Sequence, residues 1–140
     1  DGNDGLFYDF AVHGTQATIT TPDFADGYEY AICLTGLGCS ATQNLLVSLY
    51  RETDAAYSVA WTSSNTSSGD TYAWIEIPIP RIAKTGHFVE YKAALTNLIE
   101  TGASGFWDAT VQKILRARIE WSSGNIDAGT AKLYRRGMQG

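Results

Sequence analysis

A chain of 140 residues and 15.2 kDa with 44% hydrophobic content has the length of a single domain that closes one self-sufficient core. Its net charge of -5 and isoelectric point near 4.8 argue against a nucleic-acid partner, because phosphate binding draws its affinity from clustered Lys and Arg. The apolar residues fall in short runs, none near the roughly 20 residues that carry a helix across a bilayer.

The first stretch, "DGNDG" (Asp1 to Gly5), looks briefly like a calcium loop. An EF-hand needs Gly at its sixth position and a bidentate Glu at its twelfth, and Leu6 and Val12 stand there instead. Residues 1–15 are therefore read as a linker leading into a first strand at Leu6 to Val12. Beyond it, period-two alternation predicts strands at 17–20, 29–35, 44–50, 57–62, 71–77, 87–95, 114–121 and 129–136. No segment carries an amphipathic helical period of ordinary length. Turn residues bound the strands, among them Pro22-Asp23, Asp26-Gly27, Gly69-Asp70 and Thr85-Gly86. Residues 16–137 thus read as one all-β domain, a jelly-roll-like antiparallel β-sandwich of eight or nine strands, with a short tail at 138–140.

Alternation also assigns faces. In 114–121, Leu115, Ala117, Ile119 and Trp121 share the inward side and Arg116, Arg118 and Glu120 the outward side. In the last strand, Ala131 and Leu133 point in while Lys132 and Tyr134 point out. Residues 30–35 do not choose so cleanly, as expected of a central strand covered on both faces. The basic residues Arg116, Arg118, Lys132, Arg135 and Arg136 read as a solvated sheet face.

Two regions look least strand-like. Thr62 to Asp70 reads as an exposed polar hairpin loop whose Asn65-Thr66-Ser67 matches a glycosylation acceptor only formally. Leu95 to Gln112 reads as a long Gly-rich loop or a single helical turn. The closing "SSGNIDAGTAKLYRRG" (Ser122 to Gly137) reads as a hairpin hinged on Gly124-Asn125, with Gly129 permitting a bulge or a close backbone approach.

Little here points to covalent chemistry. Nucleophile-elbow, P-loop and zinc-hydrolase patterns are missing, and "GASG" (Gly102 to Gly105) lacks the closing glycine of G-x-S-x-G. Carboxylate pairs for glycoside hydrolysis can be assembled from Asp70, Glu76, Glu90 and Asp108, a choice that only their separations decide. Cys33 and Cys39 are read as free thiols, since Cys33 falls in an apolar strand pattern where Cys acts as a small hydrophobe. His13 and His87 have no ligand spacing to them, so neither metal nor cofactor is expected and the chain is read as non-enzymatic. Aromatics remain. Trp121 belongs to the core by its alternation, whereas Trp107, placed in the Gly-rich stretch, heads the candidates for stacking on a sugar face. Trp61, Tyr72, Trp74 and Tyr57, around the Ser/Thr loop, complete that ligand-binding set.

Read end to end, "YEYAICLTGL" followed by "NLLVSLY", the later "GHFVEYKAAL" and the closing "SSGNIDAGTAKLYRRG" resemble a β-sandwich domain of tailed-bacteriophage and gene-transfer-agent virions. The likeness covers about Gln16 to Gly137 and rests on strand order and turns. One departure is "RETDAAY" (Arg51 to Tyr57), where such domains often carry an Asp-Gly-Gly turn. The resemblance implies a virion location and a tail, fibre or head-decoration component. It also implies a homo-oligomer, expected to be a trimer, contacting other virion proteins or a host-surface glycan. A carbohydrate-binding module of a secreted glycan-active enzyme is the alternative, and a glycan-cleaving enzyme a more distant one.

Overall fold

The computed structural model describes residues 4–11, 15–39, 41–66 and 70–138. Ten strands run β1 Gly5–Ala11, β2 Thr18–Thr20, β3 Tyr28–Gly38, β4 Leu45–Arg51, β5 Ala56–Thr62, β6 Asp70–Ile77, β7 Lys84–Ala94, β8 Ile99–Gln112, β9 Ile114–Trp121 and β10 Ala128–Gly137. They form a six-stranded sheet in the order β1-β10-β3-β6-β7-β8 and a four-stranded sheet in the order β2-β9-β4-β5. Every pairing is antiparallel. With β7 and β8 set aside, the two sheets have the jelly-roll strand orders, β1-β10-β3-β6 facing β2-β9-β4-β5. The β7–β8 hairpin is an addition that widens one sheet. The β-sandwich read from the sequence is therefore the fold.

The core lies between the sheets. Ile32, Leu34, Ile75, Ile77, Val89, Ala131 and Leu133 enter from the larger sheet, and Leu45, Val47, Leu49, Ala117, Ile119 and Trp121 from the smaller, all buried. β6 shows why a strand rather than a helix forms here. Thr71, Ala73, Ile75 and Ile77 face the core, and Tyr72, Trp74 and Glu76 between them are exposed, which only a period of two achieves. The Trp121 indole N–H, which burial would otherwise strand, donates to the Gly38 carbonyl at 2.9 Å.

Bulges explain where alternation misleads. In β9, Ile114 is buried and Leu115 only half-buried, because the β4–β9 register shifts between Leu49 and Arg51. In β5, Trp61 pairs with Val47 while Val59 pairs with Ser48, so Ala60 is an extra residue. One extra residue turns every later side chain to the opposite face. Val59 is accordingly exposed and Trp61 buried.

Three sequence expectations are corrected. Leu95 to Gln112 is no loop: it contains β8, whose Gly- and Ser-rich backbone is held by pairing with β7. The closing segment is no hairpin, since β9 belongs to the smaller sheet and β10 to the larger, and residues 122–127 step between them. Gly129 does allow a close approach: its φ is +112°, and a Cβ there would lie 2.7 Å from the Gly36 carbonyl oxygen. The stretch after β5 likewise crosses between sheets, with Thr66 buried and bridged to Gln43. Ser67 of the formal glycosylation motif, Asp1 to Asn3 of the calcium-like stretch, Val12 and His13 lie outside the described residues. Neither cysteine forms a disulfide among the described residues; Cys39 is buried, its thiol donating to the Ala41 carbonyl at 3.1 Å, and Cys33 is half-buried on the outer face.

Candidate functional site

Because β3, β6, β7, β8 and β10 pair in register, residues on the outer face of the larger sheet form ladders. One ladder runs Tyr134, Ala31, Glu76, Glu90, Ala103 from β10 to β8. The next runs Lys132, Cys33, Trp74, Lys92, Thr101. The small residues Ala31 and Cys33 on β3 leave a trough between β10 and β6. Across it, the Trp74 and Tyr134 rings approach to 5.6 Å between centroids, tilted at 40°. The resulting groove of about 330 Å³ has Ala31 as floor, Trp74 and Tyr134 as walls, and Glu29, Glu76, Glu90 and Arg136 at its rim. A second concavity, of about 380 Å³, continues along Tyr72, Trp74 and Ile99, so Trp74 belongs to both.

The charges are placed by the same registers. Glu76 and Glu90 are direct partners on β6 and β7, both exposed. Glu29 pairs across β3 and β10 with Arg136, whose guanidinium donates to it. The groove therefore offers two aromatic surfaces beside carboxylates able to accept hydrogen bonds. Of the four acids considered for glycoside hydrolysis, Glu76 and Glu90 come together. The side chain of Asp108 is buried against Arg51 at 3.1 Å, and that of Asp70 is outside the described set. Among the described residues, no three His, Cys, Asp or Glu side chains converge as metal ligands.

The aromatic candidates separate into four groups. Trp74 and Tyr72 are on the outer face, 38% and 46% exposed, and line the groove and its continuation. Trp61 is only 2% exposed and stacks on Tyr91 of β7 at 4.2 Å and 12°, which corrects its expected place at a ligand surface; the Ala60 bulge is the cause. Tyr57 is on the smaller sheet, half-buried, packed edge-on against Tyr50 at 4.9 Å, with the Arg118 guanidinium 4.0 Å from its ring centre. Its ring face is already occupied.

Trp107 is 83% exposed, on a strand and not a loop. It pairs with Gly86, and a Cβ there would come within 2.6 Å of its ring, so the benzo ring lies over bare backbone. Six residues of β7 and two strand spacings separate it from Trp74, about 22 Å at ordinary sheet dimensions. The two rings do not share a groove.

The basic residues also disperse. Arg116 stacks over Tyr50 and Arg118 over Tyr57 on the smaller sheet, Arg135 lies between Phe7 and Tyr28, and Lys132 and Arg136 face outward on the larger sheet. Their adjacency in sequence is undone because β9 and β10 are in different sheets.

Beside Trp107, His87 is buried, and its Nε2 lies 2.8 Å from the Gln112 carbonyl and 3.1 Å from the Lys84 carbonyl. Burial lowers its pKa, and nearby Lys84 adds to that, against the carbonyl hydrogen bonds and Asp108. The neutral ring thus clasps the base of the β7–β8 hairpin. Gln112, also buried, accepts from the backbone N–H groups of Thr53 and Asp54 at 3.0 and 3.1 Å, and so fixes the turn between β4 and β5.

Tyr134 and Ala31 escaped the sequence reading of the site. Tyr134 was legible as outward-facing, but its neighbour across the sheet was not, and Ala31 marks a groove only once large residues are known to flank it. Comparison with protein-family models, curated proteins and solved structures returns no match.

Proposed function

We propose that this chain is a non-enzymatic display domain of a virion, a tail, fibre or head-decoration component that binds a glycan of the host surface on the outer face of its larger sheet. The groove floored by Ala31 between Trp74 and Tyr134 carries the reading. Sugar rings present C–H groups that pack on aromatic planes, and their hydroxyls donate to carboxylates such as Glu76 and Glu90 at the rim. The virion setting rests on the resemblance of strand order and turns, with other virion proteins as the further partners.

A binding role suits the carboxylates better than hydrolysis does. Glycoside cleavage divides its pair between differing environments, one acid held in an apolar setting and one solvated partner. Glu76 and Glu90 are instead exposed together on one ladder. The alternative, a carbohydrate-binding module of a secreted enzyme, would use the same groove.

Two experiments divide these readings. A glycan array probed with the purified chain tests binding, and Trp74→Ala should remove most of the signal while the melting temperature stays within a few degrees. Immuno-electron microscopy of particles from the source tests the setting: label on virions supports display, and label confined to soluble secretions returns the chain to the secreted-module reading.

A further inference from the structure

The sandwich has four edge strands, and three of them are blunted. β2 is only three residues long. β1 and β5 are seven residues each and broken by bulges, at Phe7 and Ala60. β8 is different. It is fourteen residues long and has neither Pro nor a basic residue; its one register break falls between Trp107 and Gln112, and from Trp107 to Ile99 it pairs with β7 without a shift. A long, regular run of edge strand without Pro or a basic residue is what natural sheets avoid unless the edge is used, because half of its backbone N–H and C=O groups face outward unpaired.

The side chains say what it fits. Ile99 and Trp107, the two most exposed large apolar residues among those described at 70% and 83%, lie four residues on either side of Ala103. Both point to the outer face with Thr101, Ala103 and Gly105 between them. When two copies of β8 pair antiparallel about a two-fold axis through Ala103, Ile99 of each meets Trp107 of the other. Thr101 then meets Gly105, and Ala103 meets itself. The small central residues let the backbones close, and the large ones pack at both ends. Charge agrees: no charged residue lies from Thr101 to Trp107, Glu100 falls opposite Phe106, and Asp108 is held by Arg51, so no carboxylate faces another carboxylate. A chain of net charge -5 meets its copy with least repulsion along such a neutral segment.

We propose that β8 is a self-association edge through which two copies form a closed, isologous dimer with a continuous sheet of twelve strands. A two-fold pairing of this kind closes at two, in place of the trimer that the virion resemblance suggests. Covering two Trp–Ile pairs and the strand backbone removes on the order of 600 Å² per copy, the low end of specific interfaces, so the dimer is weak and concentration-dependent. It leaves the Trp74 groove open and brings the two outer faces side by side.

Sedimentation equilibrium from about 1 to 300 µM tests this. The expected result is a monomer–dimer equilibrium whose dissociation constant rises at least tenfold in Ala103→Lys, which sets two like charges opposite each other on the axis, and in Trp107→Lys. Circular dichroism should show both variants folded. In a Cys33→Ser background, Ala103→Cys should oxidise to a covalent dimer, while Thr101→Cys, opposite Gly105, should not. A chain that stays monomeric at the highest concentration, or a dimer indifferent to both lysine variants, overturns the proposal. So does cross-linking equally efficient at positions 101 and 103.

Discussion

Two aromatic pairs, Trp61 with Tyr91 and Trp74 with Tyr134, are built from the same chemistry and do opposite things. The first joins β5 of one sheet to β7 of the other, nearly parallel at 4.2 Å, and seals a flank of the sandwich. The second joins two strands of one sheet on its outer face, tilted at 5.6 Å, and leaves its rings open across a groove. Residue type does not separate them. What does is the parity of each residue within its strand, which a single bulge reverses.

The strongest way to break this comparison is to truncate both tryptophans. Trp61→Ala should cost about 3 to 5 kcal/mol and lower the melting temperature sharply, because a buried indole leaves a cavity. Trp61→Phe should cost much less, since the Trp61 indole N–H has no hydrogen-bond partner among the described residues to lose. Thermal denaturation of the two variants checks both statements. Trp74→Ala should leave melting nearly unchanged and weaken glycan binding by roughly fivefold to tenfold, the scale of one aromatic contact. A large melting shift in Trp74→Ala would place that ring in the core and end the distinction.

The sequence made half of this contrast readable. β6 alternates without fault, and its outward Tyr72, Trp74 and Glu76 follow directly. β5 alternates too, but the Ala60 bulge puts Trp61 on the other side of the strand from Tyr57, and nothing in "YSVAWT" announces an inserted residue. β8 was hidden for a different reason: an exposed edge strand needs no core residues, so "ETGASGF" can be a strand by backbone pairing alone. The step at residues 122–127 was hidden because Gly and Asn license a turn without saying whether the chain returns to the same sheet. Grooves are harder still, as Ala31 acquires meaning only from Tyr134 and Glu76 on the strands beside it.

A gentler effect concerns the clasp at the base of the added hairpin. The pKa of His87 is lowered in the fold, so the fold favours the neutral ring. Its contribution is full above the unfolded value near 6.5, is lost as pH falls from there toward the lowered folded value, and is constant below it. Urea midpoints measured between pH 7.5 and 5 should therefore decline in the native chain, and less so in His87→Gln. The smallest effect is expected at Tyr57. Its ring is already engaged by Arg118 and Tyr50, so Tyr57→Leu should leave array binding within about twofold of the native chain, an aromatic contact being worth several-fold.

The most direct test of the central claim, that the outer groove is the binding surface, is to fill it without touching the rings. Ala31→Leu adds bulk at the floor, where the side chain faces the trough between Tyr134 and Glu76 and not the core. Native chain and variant, matched for melting temperature, are applied to the same array of host-surface glycans. The account predicts that the native chain binds and that Ala31→Leu loses at least tenfold of the signal. Identical binding by the two proteins, or no binding by either, would contradict it.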